Sequence, residues 1–414
     1  MKKLNYFIAV ALGVSALSFA SCEKSTSSDD DPTLDLTEAE QALLDNYVEN
    51  IVEARYSQLA TDGKTLLNAA EAIKTSTDTD KTDLILAATE AWQAARVSWE
   101  RTEAYLFGPV DKAGIDPGID SWPLVLPDLQ EKIQSWDVSA SDLAADSGDL
   151  KGFHAIEYII FADGAAKAVS VTYFDSEYEI SQGSLSDEEF EDNLESYLVA
   201  VCNELYRCVL QLEAEWNLAG LSSSKSADYA EFGSQITLNT TGGNYGDIFA
   251  NPSLDNAYYS SFNACLSEAL QGAIGIADEV ANVKISDPIN AEIASPGQGL
   301  LEVESWFSHN SLSDFLNNVR GIKEAIFGEL YTSESFDTSI VPNANSIAAL
   351  LVAADAEAGA ATIAAANAAI AAVKAMPSPF RDNLSWGAEN TAAKEAIATL
   401  QEQLENAETI LVVR

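Results

Sequence analysis

The chain has 414 residues and a formal net charge of −43, with 65 acidic side chains against 22 basic ones, two histidines and four cysteines. A surface this acidic repels phosphate backbones, which excludes nucleic acid as a partner, while it favours solubility and attracts cations weakly. Beyond Cys22 no disulfide framework is legible: Cys202 and Cys208 lie six apart on a predicted helix and point to different sides, and together with Cys265 they read as buried apolar fillers.

The first stretch, MKKLNYFIAVALGVSALSFASC, carries two lysines, an apolar core and small residues before Cys22. It reads as a signal peptide over residues 1–21, too short and wrongly flanked for a membrane span. Phe19-Ala20-Ser21-Cys22 resembles the lipobox of bacterial lipoproteins, in which the cysteine becomes the lipid-carrying N-terminus. Residues 22–35, polar and acidic, suit a flexible tether. Glu23 follows the cysteine where an aspartate would favour inner-membrane retention, and the run Ser27 to Asp31 resembles signals that send some lipoproteins to the cell surface. The expectation is a lipid anchor at Cys22 in the outer membrane, with the periplasmic or outer face left open. No later segment has about 18 uninterrupted apolar residues.

Helical signals fill the rest. Thr37 to Glu40 is a capping box opening an amphipathic segment to about residue 60. A second helix is predicted from about Asp83 to Phe107, stopped by Gly108-Pro109. Residues 169–180 allow a short hairpin. Ser186 to Glu189 is another capping box, and its helix reaches about Asn217. The Gly-, Ser- and Asn-rich stretch 220–253 reads as a connection. Residues 254–284 look helical, with Pro288 after them; Ser311 to Asp314 start a helix ending near Gly328. Residues 344–375 are very rich in alanine, which lets helices pack closely, and read as one deep helix anchored by Ile347, Leu350, Leu351, Ile363 and Ile370. A last helix covers about 390–412. The predicted fold class is therefore all-α: two packed helical-bundle halves, 36–219 and 254–414, joined by 220–253, with a short hairpin insertion.

One of the two histidines sits in GFHAIEYIIF, residues 152–161. On a helix His154 and Glu157 are three apart and can converge on one point, while Phe153, Ile156 and Ile160 face a core. Gly152 permits close approach of another element. An imidazole and a carboxylate so held suit metal ligation, a base with its orienting partner, or a satisfied polar contact. Trp92, Arg96, Glu100, Glu103 and Phe107 share a stripe on the earlier helix, where Arg96 and Glu100 can pair and leave Glu103 to face something else. The second histidine, His309, lies in Ser308-His309-Asn310-Ser311, good capping chemistry at a helix start, with Asp314, Asn318, Arg320 and Lys323 following it.

GFHAIEYIIF resembles the Gly-x-His-x-x-Glu motif of the imelysin family. AWQAARVSWERTEAYLFG, IDSWPL and ESWFSHNSLSDFLNNVRGIKEAI resemble that family's other blocks in the same order, and the likeness runs from about residue 36 to the C-terminus. The resemblance implies a bacterial periplasmic or outer-membrane-associated protein built of two helical bundles, linked to iron regulation and uptake, from a family also classed as metallopeptidases. It implies that His154 and Glu157 are the metal-binding pair, with Gly152 beside them, and that Glu103, Asp120, Ser308, His309 and Arg320 line the site.

Three functions follow as expectations. The first is a lipoprotein that binds a divalent metal, iron, or an iron-containing ligand between two bundles and works with iron-uptake components. The second is a metallopeptidase; against it, the chain lacks His-Glu-x-x-His, and a carboxylate-rich set suits iron or another hard cation better than zinc. The third is a non-metal ligand- or protein-binding module in which the His–Glu pair is a hydrogen bond.

Overall fold

The Thr37 capping box forms: Thr37 Oγ1 accepts from the Glu40 N–H at 3.2 Å, and Glu40 Oε2 accepts from the Thr37 N–H at 2.8 Å. The computed structural model describes residues 36–78, 80–137, 143–167, 180–217, 220–233, 244–256 and 258–413. The signal peptide, Cys22, the tether and residues 169–179 of the expected hairpin lie outside the described residues.

Helix α1 (Glu38–Asp45) runs through a π-type stretch (Asn46–Glu53) straight into α2 (Ala54–Thr75), well past the expected end near residue 60. Helix α3 (Thr82–Glu100) stops before Phe107; a 3₁₀ turn (Glu103–Tyr105) follows, and Gly108 at φ +66° leads into α4 (Pro109–Lys112). Short helices α5 (Asp116–Ile119) and α6 (Leu126–Gln134) precede α7 (Gly152–Ile160) and the long α8 (Asp187–Asn217). Helix α2 packs along both α3 and α8, and α7 is laid across α3 and α8. Between α7 and α8 the chain pairs β1 (Phe161–Ala162) with antiparallel β2 (Ala165–Ala166) around Asp163-Gly164, the one sheet among the described residues. Asp-Gly is a strong hairpin turn, and its presence places a hairpin before the stretch where one was expected.

The connection holds two helices, α9 (Ser223–Phe232) and α10 (Tyr245–Ala250), and Tyr245 and Phe249 pack on Trp216 at the end of α8. Helix α11 (Phe262–Glu279) starts at Ser261, whose hydroxyl accepts from the Ala264 N–H. It continues through a π-type stretch (Val280–Ile285) into α12 (Ser286–Ala294). Pro288 therefore does not end the helix, which runs past it to Ala294. Helix α13 (Ser311–Phe327) ends on Gly328 in the left-handed conformation.

The alanine-rich stretch is two helices, α14 (Ile347–Ala354) and α15 (Ala356–Lys374), because Asp355 leaves the helical conformation and caps α15, accepting from the Glu357 and Ala358 N–H groups. By length and composition α15 is apolar enough to cross a membrane, yet it packs one face on α13 and on α16 (Ala388–Glu408) and leaves the other outward. Helix α16 also packs against α11.

The chain is all-α apart from β1 and β2 among the described residues, and its N-terminal and C-terminal helices share one contiguous apolar core. Helix α13 is the joint. It lies against the end of α3, where a Cβ on Gly321 would come within 2.5 Å of the Arg101 carbonyl oxygen, so only glycine permits the approach. Arg55 of α2 grips Glu324 of α13 with two hydrogen bonds, and Asn46 donates to the Gly328 carbonyl. Cys202, Cys208 and Cys265 are buried free thiols, and burial pushes the latter two up to about 12, so they are inert fillers.

Candidate functional site

A buried polar cluster fills this joint, assembled from seven segments of the chain. Helix α3 supplies Arg96, Trp99 and Glu100, and the turn after it Glu103. The loop after α5 supplies Asp120 and Trp122, and α7 supplies His154 and Glu157. The π-type stretch after α11 supplies Lys284, the loop before α13 supplies Glu304, Ser305 and Ser308, and α13 itself supplies Asp314 and Asn318.

Gly152 makes the placement of α7 possible. It has φ +78°, and a Cβ there would lie 2.3 Å from the Ile119 carbonyl oxygen, which precedes Asp120. The missing side chain therefore lets the start of α7 touch the loop that carries Asp120. Gly152→Ala is expected to destabilise the protein by about 2 kcal/mol or more, since left-handed strain and a backbone clash add. Thermal unfolding checks this, and an unchanged midpoint would contradict it.

His154 is fully buried and bonded at both nitrogens. Nδ1 lies 2.9 Å from Glu157 Oε2; Nε2 lies 3.0 Å from Asp120 Oδ1 and 3.4 Å from Glu304 Oε1. The Trp122 indole stands edge-on to the imidazole at 4.9 Å between ring centroids. Glu157 turns its other oxygen away from Asp120 and Glu304: Oε1 accepts from the Ser308 N–H at 2.8 Å and from the Ser308 hydroxyl at 2.7 Å. Glu157 thus orients the imidazole, and Ser308 orients Glu157.

Arg96, also fully buried, is the hub. Its guanidinium contacts Asp120, lies 2.5 Å from Glu100 and 3.2 Å from Glu304, and has Nε 3.4 Å from Asp314 Oδ2. Trp99 donates its indole N–H to Asp120 Oδ2 at 2.7 Å. Lys284 lies 3.0 Å from Glu103 and 3.3 Å from Glu304, and Asn318 donates to both Glu100 and Glu103. Asp314 accepts from Ser305 at 2.5 Å and from Asn310 at 2.7 Å.

Glu100, Glu103, Asp120, Glu157, Glu304 and Asp314 thus surround two permanent cations, Arg96 and Lys284, and one imidazole. The proton affinities follow. Burial raises Asp120, but Arg96 and the His154 hydrogen bond outweigh it and hold Asp120 far below the carboxylate range. Burial likewise opposes ionisation of Glu304, but Lys284 and His154 bring it down to about 2. Burial works against a charged imidazole, yet the hydrogen bonds to Asp120, Glu157 and Glu304 hold His154 well above its ordinary value. The surplus carboxylates go the other way. Burial, which Arg96 only partly offsets, pushes Asp314 up to about 8, and burial with Glu100 beside it pushes Glu103 well above normal. Asp116, close by, is raised to about 7 by burial and by Asp120.

Among the described residues, two sets of ligand atoms lie within 4.8 Å of one another: Asp120, His154 and Glu304, and Glu100, Glu103 and Asp120. Asp120 belongs to both sets.

Of the residues singled out in the sequence, Asp120, His154, Glu157, Ser308 and Glu103 meet in this cluster and Gly152 lies beneath it. Glu103 is not left free; Lys284 and Asn318 hold it. His309 does not join them. It takes φ +58° and reaches the hairpin turn, with Nε2 3.5 Å from Asp163 and its ring against Gly164. Arg320 lies further along α13, bonded through two nitrogens to Asp337. The side-chain capping expected at the start of α13 does not form: Asn310 caps no backbone N–H with its side chain, Ser311 donates to the Glu304 carbonyl at 2.6 Å, and Asp314 accepts from Ser305 and Asn310. Glu304 and Lys284 went unmarked in the sequence. Their one local signal is a charged residue inside an apolar run, LLEVESWF and VANVKI.

An all-α fold built around a buried His-x-x-Glu helix places the chain in a recognisable class, and comparison with known proteins agrees. The imelysin family model matches residues 52–410, so the chain belongs to the imelysin family. It is similar to iron-regulated protein A of Synechococcus elongatus, at 28% identity over 286 residues, 68% of this chain and 64% of that protein. The chain thus spans under two thirds of the length of the curated relative it matches. Among solved structures, an iron-regulated protein A precursor from Parabacteroides distasonis superposes with a TM-score of 0.74 at 26% identity, over 90% of this chain and 95% of that one. An imelysin-like protein from Psychrobacter arcticum shares the fold, with a TM-score of 0.55 at 13% identity over 92% and 95% of the two chains.

Proposed function

We propose that this imelysin-family protein binds a cation through Asp120, His154 and Glu304, with iron or another hard divalent ion as its cargo. We further propose that it serves iron uptake from the outer membrane, held there by a lipid on Cys22. The observation that carries the metal reading is the meeting of three ligand atoms within 4.8 Å inside a cluster where carboxylates outnumber cations. Two carboxylates and one imidazole suit a hard or borderline cation. Glu157 and Ser308 supply the outer partners that fix the imidazole, as metal-bound histidines require. A link to iron is supported by the name iron-regulated protein A, borne by relatives from Synechococcus and Parabacteroides. Localisation rests on the sequence around Cys22.

Arg96 favours a second reading. Its contacts with Asp120 and Glu304 already supply internal charge, so the cluster could hold the two halves together without an ion. A hydrolytic role has less support: Glu157, the carboxylate of the motif, has both oxygens engaged by His154 and Ser308.

Calorimetry with ferrous, manganous, calcium and zinc ions, on protein purified without chelators, separates these readings. Binding of at least one ion is expected, weakened tenfold or more by Asp120→Asn or by Glu304→Gln in variants that keep their helical circular dichroism. Absence of binding, or binding that neither change alters, would leave the purely structural reading standing.

A further inference from the structure

On another face of the α3–α13 joint, a cavity of about 470 Å³ opens between the end of α3, the start of α13 and the end of α15. Its walls are apolar, from Val97, Leu312, Leu316, Val373 and Met376. Three cations stand around it: Arg101, Arg320 and Lys374. In a chain of net charge −43, a pocket lined by three cations and no carboxylate is out of character.

Two of these cations are already matched. Arg320 makes a two-pronged pair with Asp337, and Lys374 lies 3.2 Å from the same carboxylate and 3.5 Å from Glu334. Arg101 is different. Its side chain is only 10% exposed, its Nε donates to a neutral partner, Asn317 Oδ1, at 2.9 Å, and its nearest carboxylate, Glu324, is 4.0 Å away. Glu324 is itself occupied by both prongs of Arg55. The remaining contact of Arg101 is the face of Tyr331, which also carries Arg320 on its ring. Burial lowers the proton affinity of Arg101 to about 10, and Arg55 and Arg320 add to that by repulsion. A nearly buried, under-compensated guanidinium is costly unless something supplies a negative charge.

We propose that this cavity binds a small organic carboxylate, its charged head on Arg101 and its apolar body along Leu312, Leu316, Val373 and Met376. One spare positive charge matches a monoanion, since Arg320 and Lys374 are committed to Asp337. The guanidinium's outer edge fits a carboxylate, Ser313 and Ser378 offer hydroxyls at the rim, and the volume falls in the range of small-molecule sites. The site shares no residue with the His154 cluster, so it stands or falls separately from the metal reading.

Octanoate is the probe, followed by calorimetry and by ligand-observed NMR on the folded chain, with 1-octanol as the neutral control and octyl phosphate as the dianionic one. Octanoate is expected to bind, with 1-octanol at least tenfold weaker and octyl phosphate no tighter. Arg101→Gln should weaken octanoate tenfold or more. Because Arg101 is nearly buried, Leu316→Glu provides a second variant: a carboxylate placed in the apolar wall should abolish octanoate binding. No octanoate binding at millimolar concentration, equal binding of 1-octanol, tighter binding of octyl phosphate, or retained affinity in a folded Arg101→Gln or Leu316→Glu variant would overturn the proposal.

Discussion

Arg96→Met is expected to be the most damaging single substitution in the cluster, lowering the free energy of unfolding by about 3–5 kcal/mol at neutral pH. Methionine nearly fills the volume of the arginine stem, so little of the loss comes from a cavity. The loss comes from the carboxylates left behind. Arg96 touches Asp120, Glu100 and Glu304 and faces Asp314, all from different parts of the chain except Glu100. Without it, Asp120 and Glu304 are left to Lys284 and His154 among the described residues, while Asp314, raised to about 8 even beside Arg96, stays protonated and adds little to the loss. Removing one partner of a buried ionic group costs far more than the group contributes in place, because the survivors keep their desolvation and lose their counter-charge. Chemical denaturation at pH 7.5 tests the size of the loss. A second measurement at pH 4.5 tests its origin: the orphaned carboxylates can take up protons there, so the deficit should shrink by at least half. A deficit below 1 kcal/mol at pH 7.5, or one equal at both pH values, would mean that Arg96 is not the electrostatic centre of the joint.

That dependence on distant partners explains what could be seen in the sequence. Signals confined to one turn were legible. Thr37 and Glu40 cap α1 as their spacing predicts, and His154 meets Glu157 because residues three apart on a helix share a face. The Arg96–Glu100 pair was legible for the same reason. What Glu157 does was not, because its second oxygen is claimed by Ser308, 151 residues away. The expectation that Glu157 shares a metal with His154 rests on one turn of helix; the tertiary fold adds Asp120 and Glu304 at the other ring nitrogen. Glu304 and Lys284 carry no motif, and only the packing of the π-type stretch and the α13 entry loop onto α3 gives them meaning. Breaks within helical composition were hard to see for the converse reason. Asp355 ends one helix and caps the next through a local bond, but a lone aspartate in an alanine-rich run is weak punctuation beside so strong a helical background.

Stability should peak at mildly acidic pH and fall by about 3 kcal/mol between pH 5 and pH 8, with Asp314 the principal cause. In the folded chain Asp314 keeps its proton up to about pH 8, whereas in the unfolded chain an aspartate ionises near ~3.9. Between those values the folded state binds the extra proton, so raising the pH favours unfolding. Asp116, raised to about 7, and Glu103, also raised, act in the same direction. His154 reinforces them: its pKa is raised, so its contribution is complete below ~6.5 and lost as pH climbs through the folded value. Asp120 and Glu304 work on the other flank. Their depressed values give stability that is present above ~4 and lost as pH falls toward 2, which puts the maximum between the two groups of carboxylates. Each raised carboxylate could contribute up to ~1.4 kcal/mol per pH unit, but they share Arg96 and Lys284, so the sum is well below the individual limits. Asp314→Asn isolates the main component. The amide keeps an oxygen to accept from Ser305 or Asn310 and cannot ionise, so the variant should match the parent at ~pH 4 and exceed it by about 2 kcal/mol at pH 8. Denaturant titrations at half-unit steps from pH 4 to pH 8.5 would show this as a flattened slope. A variant slope parallel to the parent's would show that the surplus proton of the cluster does not reside on Asp314.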